Sequence, residues 1–235
     1  MLGKAACSAR RGSEIQGETK EAYRTVLPST YITAARRLVH YPNSSYWTNA
    51  SVMNAFCDEA IKWRDRVTAA VRTLTSFTLT AGTDTYTFAT LSPSTNIFDI
   101  VNINLIYNGT RIVLDQMPFT RLNATIRIWS PSFRDRVYAW ARYGSNQVVF
   151  GPAPSLAYSV ELDTCTFHSD IAAADTDDGV PYPYTESVPY YIAYLAKLNE
   201  RQYDEADSFL DMAQERAVNV TSARVGMVPT QYGMR

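Results

Sequence analysis

The hydrophobic period of this chain changes twice, and that limits its fold more than any single motif does. From Thr48 or Asn49 to about Leu74, apolar residues recur at Val52, Phe56, Ala60, Trp63, Val67, Ala70 and Leu74. Alternating steps of four and three put them on one helical face. Lys62, Arg64, Asp65, Arg66 and Arg72 fall off that face, and Thr48 or Asn49 suits the N-cap. From Phe77 to Phe167 the period drops to two. From Ser187 it becomes helical again. The order helix, strands, helix predicts an α+β protein: a helical domain built from N- and C-terminal helices, with an inserted antiparallel β-sandwich.

The strand region carries its own punctuation. Phe77–Thr80 and Thr85–Phe88 flank Gly82-Thr83-Asp84. Ile97 to Tyr107 ends at Asn108-Gly109, a strong hairpin signal, and Arg111 to Gln116 returns. Pro118 to Thr125 reads as a loop or a single helical turn. Arg136 to Tyr143, Gln147 to Phe150 and Ser159 to Phe167 are further strands, with Gly144-Ser145-Asn146 as a tight turn. Turns every 8–12 residues suit a sandwich. Residues 169–185 predict a solvated loop. Helices are expected over Ser187–Asn199 and Asp204–Ser222, joined at Gln202-Tyr203 as an antiparallel hairpin. Upstream, residues 13–27 predict a short amphipathic helix and Tyr31–His40 another, which Tyr41-Pro42-Asn43-Ser44-Ser45 ends.

Composition excludes more than it assigns. The 235 residues suffice for a sizeable core without a disulfide or metal staple. Net charge is −1, which excludes a histone-like coat and an acidic tail protein. That total hides a split. Residues 1–160 hold seventeen Lys/Arg against ten Asp/Glu, and residues 161–235 hold five against thirteen. Solvated C-terminal helix faces would account for it, as would two surfaces that meet different partners. Residues 1–12 lack the apolar core of a secretory signal. No run approaches the roughly 18 apolar residues that span a bilayer, so no membrane partner is expected. Cys7, Cys57 and Cys165 lack paired spacing and read as free thiols in a reducing compartment.

No constellation favours catalysis. His40 and His168 have no second metal ligand at helical or strand spacing. Asp175-Thr176-Asp177-Asp178-Gly179 fails as a calcium loop, because Gly179 and Val180 stand where an oxygen ligand and a glycine are needed. There is no phosphate-binding glycine loop and no nucleophile elbow. Glu161, Asp163 and Glu186 are carboxylates without a recognisable acid-pair spacing. No cofactor, metal or catalytic residue is expected. Along Arg136–Tyr143, alternation puts Arg136, Tyr138, Trp140 and Arg142 on one strand face, with Val137, Ala139, Ala141 and Tyr143 on the other. The first face could stack single-stranded nucleic acid. It suits a subunit interface better, since Tyr, Trp and Arg are enriched there.

Several stretches resemble the head-to-tail adaptor (connector, or tail-tubular) proteins of tailed bacteriophages. They are Trp47-Thr-Asn with the Asn54–Trp63 helix, Thr83-Asp-Thr-Tyr-Thr-Phe, Ile100–Tyr107 with Asn108-Gly109, Phe150-Gly-Pro-Ala-Pro, Val188-Pro-Tyr-Tyr-Ile-Ala-Tyr and Tyr203-Asp-Glu-Ala-Asp. Their succession carries the resemblance over roughly residues 45–225. Residues 1–44 depart from the family pattern. The expected division is an arm with short helices over 1–44, a helical domain over 45–75 and 186–224, a sandwich over 76–168, a loop over 169–185 and a tail over 225–235. The resemblance implies a non-enzymatic virion protein of the neck, assembled in the host cytoplasm. It would form a dodecameric ring that docks on the portal protein, extends the channel for double-stranded DNA and meets the next tail component. It also implies portal contacts in the tail: Val225, Met227, Val228, Pro229, Tyr232, Met234 and Arg235. The other readings are a stopper or minor tail protein, or a cell-wall hydrolase of the virion.

Overall fold

A computed structural model describes residues 25–40, 49–92, 96–125 and 136–225. Most of the arm over 1–44 lies outside these residues, as does the expected helix over 13–27 except residues 25–27, which are not helical. Helix α1 (Pro28–Leu38) begins on proline, whose missing N–H has no helical partner in a first turn anyway. Helix α2 (Ala50–Thr68) is capped by Asn49, whose side chain accepts from the Ser51 N–H at 3.1 Å.

Helix α2 ends six residues before the expected Leu74. Ala69 turns left-handed at φ 47°, and strand β1 (Arg72–Leu79) starts at once. The β-branched residues Val71, Thr73 and Thr75 favour extended backbone. Leu74 therefore sits on a strand, 63% exposed. The buried face of α2 is also one residue further round than the stripe suggests. Met53, Cys57, Ala60, Ile61, Arg64, Asp65 and Thr68 are buried, while Val67 is exposed.

Seven more strands follow among the described residues: β2 (Thr85–Thr87), β3 (Asn96–Tyr107), β4 (Thr110–Val113), β5 (Asp115–Gln116), β6 (Ala139–Tyr143), β7 (Gln147–Gly151) and β8 (Tyr158–Phe167). They form two four-stranded sheets, ordered β1-β8-β3-β4 and β2-β7-β6-β5. The first sheet is antiparallel throughout. In the second, β5 runs parallel to β6, a departure from the expected all-antiparallel sandwich. The chain changes sheets there: buried Leu114 still bonds Ile103 of β3, and Asp115 already bonds Tyr138. The β3–β4 turn is Asn108-Gly109, with φ 50° and 77°, as a type I′ hairpin requires.

The sandwich core gathers Leu79, Tyr86, Ile103, Leu105, Trp140, Val148, Phe150, Val160 and Leu162 between the sheets. After the short helix α3 (Phe88–Leu91), the segment over 118–125, expected as a loop or a single helical turn, forms the seven-residue helix α4 (Phe119–Thr125). Its Leu122 packs on Ala139, Ala141 and Val149, so the second sheet is covered on both faces. Small side chains at 139 and 141 let the helix approach.

Helices α5 (Val188–Asn199) and α6 (Tyr203–Val225) are the last described elements. Tyr31, Ile32, Ala35, Met53, Cys57, Ile61, Ile192 and Ala196 form a separate helical core, which Ile171 and Ala172 join from the loop. Over residues 203–221, helix α6 fully buries Ala206, Ala213 and Ala217, and its Phe209 packs against the helical core.

Candidate functional site: a buried charged junction and two outer surfaces

Helix α2 meets the end of β8 and the following loop through charge. The Arg64 and Asp65 side chains are fully buried, as is that of Asp178. Arg64 donates to Asp65 Oδ1 at 3.1 Å from Nε and 2.8 Å from a terminal nitrogen, and it also pairs with Asp178. Asp65 Oδ2 accepts the His168 backbone N–H at 3.1 Å and lies 2.8 Å from the ring Nδ1. The other ring nitrogen lies 2.7 Å from the Asp178 carbonyl. Tyr31 of α1 donates to Asp178 at 3.4 Å.

A neutral imidazole has one N–H, so only imidazolium satisfies both oxygens around His168. Burial works against that charge, but the Asp65 hydrogen bond and charge outweigh it and raise the His168 pKa above its ordinary 6.5. Burial likewise opposes the Asp65 charge, and the His168 and Arg64 hydrogen bonds prevail, holding its pKa below 3.8. Asp178 and Asp65 overcome burial to keep Arg64 firmly charged. Burial and the Asp178 charge push the Tyr31 phenol up. Burial, then Asp58, pushes the Cys57 thiol up to about 12, which leaves it unreactive. Two cations and two carboxylates close on one another, so this cluster is a clamp without a free acid, base or nucleophile.

The sequence reading missed this clamp. It set Arg64 and Asp65 off the apolar stripe of the helix and Asp178 in a solvated loop. The loop is in fact half anchored: Ile171, Ala172, Asp178, Val180 and Thr185 are buried, and Asp58 accepts the Ile171 and Ala172 N–H groups at 2.9 Å each. The signal available was a second helical stripe, Met53-Cys57-Ala60/Ile61-Arg64-Thr68, which polar residues at 64, 65 and 68 disguise. Among the described residues, no three His, Cys, Asp or Glu side chains converge to hold a metal.

Of the four residues expected at a subunit interface, Trp140 turns inward, whereas Arg136, Tyr138 and Arg142 are exposed. Trp140 is 1% exposed in the sandwich core, covered by the opposite sheet of its own chain rather than by another subunit. It is equally unable to stack nucleic acid. Arg142 reaches across the sheets to Asp99 at 2.7 Å and to the Phe98 carbonyl at 3.1 Å. Arg136 lies over the Tyr107 ring at 5.2 Å. Tyr138 remains 49% exposed. Val225 ends α6. The other tail residues, Met227, Val228, Pro229, Tyr232, Met234 and Arg235, lie outside the described residues.

Two outer surfaces remain. On α6, Asp204, Asp207, Asp211 and Glu215 are exposed, and their spacing puts them on one stripe opposite the buried alanines. On the first sheet, the outer face carries exposed Leu74 and Val113 at its two edges. No helix among the described residues is long and apolar enough to cross a membrane.

The class these features define is an α+β protein with one helical core and one two-sheet sandwich core, whose buried charges serve structure. Residues 29–231 match the family described as SU10 adaptor protein, and the chain belongs to that family. It is a structural adaptor protein of the bacteriophage head-to-tail type, a family whose role is structural and implies portal and tail components as neighbours in the virion neck. A comparison with curated proteins returned no match.

Proposed function

We propose that twelve copies of this chain form a closed ring that docks on the portal of the filled head. The ring extends the channel through which double-stranded DNA passes without sequence recognition, and it presents its far face to the next tail component. Assembly takes place in the host cytoplasm. Family membership over residues 29–231 is the observation that carries this reading. The fold is compatible with it, because a ring interface is heterologous and needs two different surfaces on each subunit. Helix α6 packs on the helical core through Phe209 and the Ala206, Ala213 and Ala217 stripe, and its opposite acidic face is left for a partner. The portal contacts are assigned to α6 and to Val225, Met227, Val228, Pro229, Tyr232, Met234 and Arg235. The parts of the arm, helical, sandwich, loop and tail segments are proposed to act as the sequence divides them.

The test is mass by light scattering, for the protein alone and with portal protein. A complex holding twelve copies per portal ring is expected. A chain that never associates with the portal overturns the proposal. Removal of Gly226–Arg235 should leave a soluble chain that no longer binds the portal, and undiminished binding would remove the tail from this role.

A further inference from the structure

The first sheet has two free edges, β1 and β4, with no strand pairing their outer sides among the described residues. Free edges of this kind are guarded by lysine, proline or a bulge, or by keeping the strand very short; β4 has four residues and β1 eight. Here Arg72-Thr-Leu-Thr-Ser-Phe-Thr-Leu79 and Thr110-Arg-Ile-Val113 contain no lysine and no proline. Each edge carries one arginine, and both arginines are turned inward onto β8: Arg72 pairs with Asp163, and Arg111 holds Glu161 at 2.6 Å. The charges that would repel a second strand are thus neutralised within the subunit.

The most exposed aliphatic side chains of the two sheets stand at these same edges. Leu74 is 63% exposed on β1 and Val113 is 65% exposed on β4. They lie on one face. Val113 is opposite Asn104, Asn104 is opposite Glu161, and Glu161 is opposite Ser76, two residues from Leu74. The sheet has four strands that alternate in direction. Rotating a copy about an axis along the strands therefore brings its β1 antiparallel to the β4 of its neighbour, and the alternation continues unbroken. If Leu74 is set opposite Val113, then Ser76 falls opposite Arg111 and no like charges face each other.

We infer that β1 of one subunit adds to β4 of the next, so that this sheet runs continuously from copy to copy. This rests on the ring reading above and names its seam. Backbone hydrogen bonds along the edges supply the affinity, as in strand addition generally, and the Leu74–Val113 contact fixes the register. A head-to-tail seam suits a ring, whereas β1 pairing with β1 would stop at a dimer.

The experiment compares Leu74→Lys and Val113→Lys with wild type, alone at rising concentration and on the portal. Both positions are exposed, so the thermal midpoint of the monomer should not move. Each variant should lower the yield of closed rings at least tenfold. In a Cys7→Ser background, Leu74→Cys with Val113→Cys should give a ladder of oxidised multimers, and Leu74→Cys alone should give none. Rings that form normally with lysine at either position, without a ladder, overturn the seam and leave the ring standing. A disulfide dimer from Leu74→Cys alone also overturns it. A wild type that stays monomeric alone and on the portal overturns the ring and the seam together.

Discussion

Arg64 occupies a helix position that the sequence puts off the apolar stripe, yet no part of its side chain is exposed. Its worth lies in what its removal would leave behind. Arg64→Met would remove the cation shared by two buried carboxylates, leaving Asp178 with only neutral donors, and breaking a buried pair in this way costs about 3–5 kcal/mol. Chemical denaturation should show that loss, and a change below about 1 kcal/mol would mean that water already reaches the cluster. His168 sets the pH dependence. Its pKa is raised on folding, so its contribution is complete below its ordinary 6.5 and fades as pH rises through the raised value. Asp65 acts oppositely: its pKa is lowered, so its share is present above 3.8 and fades as pH falls through the lowered value. Stability should peak between these limits and decline on the alkaline side. His168→Gln should flatten that alkaline decline in denaturation midpoints taken between about pH 5 and 9. An unaltered slope would assign it to another group. None of this was legible in sequence, because a charged residue buried by a partner 114 positions away looks identical to a solvated one.

The elements were legible where local chemistry decides them. Asn49 caps as its residue type suggests, and Asn108-Gly109 turns where the dipeptide says it should. Gly109 has φ 77°, so Gly109→Ala should cost about 1–2 kcal/mol through backbone strain alone, with open space around the new methyl. A thermal midpoint equal to wild type would show that the turn relaxes to another type. Elements were misread where tertiary contact overrides local signals. Helix α2 stops at Ala69 with no glycine to announce it, because pairing with β8 claims the residues from Arg72 onward. Helix α4 reads as a loop or a single helical turn until Ala139 and Ala141 are seen to make room for it. The segment expected as a strand over Arg136–Tyr143 is a strand only from Ala139, and Val137 packs in the same core as Trp140 rather than on the opposite face. What the alternation could not give was which side holds the core, and with a helix on one face and a sheet on the other, both sides do.

For the whole molecule, the uneven charge along the chain is largely an internal matter. Lys62 pairs with Asp170, Arg64 with Asp178, Arg72 with Asp163 and Arg111 with Glu161. In each pair the cation comes from the basic part and the anion from the acidic part. The split therefore holds the α2–loop junction and the first sheet together before it meets any partner. What remains is the stripe Asp204, Asp207, Asp211 and Glu215, which faces away from the protein along α6. The order of helices and strands, on which the resemblance to adaptors rests, was readable from the sequence. The destination of the acidic residues was not, since spacing cannot show which of them are already paired. The unpaired stripe lies on the helix assigned to the portal, so that docking should carry an electrostatic component. Asp207→Lys with Asp211→Lys should weaken portal binding by roughly 1 kcal/mol or more, about fivefold. Added salt should weaken wild-type binding and lessen the difference between the two proteins. The monomer fold should be unaffected, because both side chains are exposed. Portal binding that ignores both salt and the reversals would place the contact elsewhere, on the tail beyond Val225 alone.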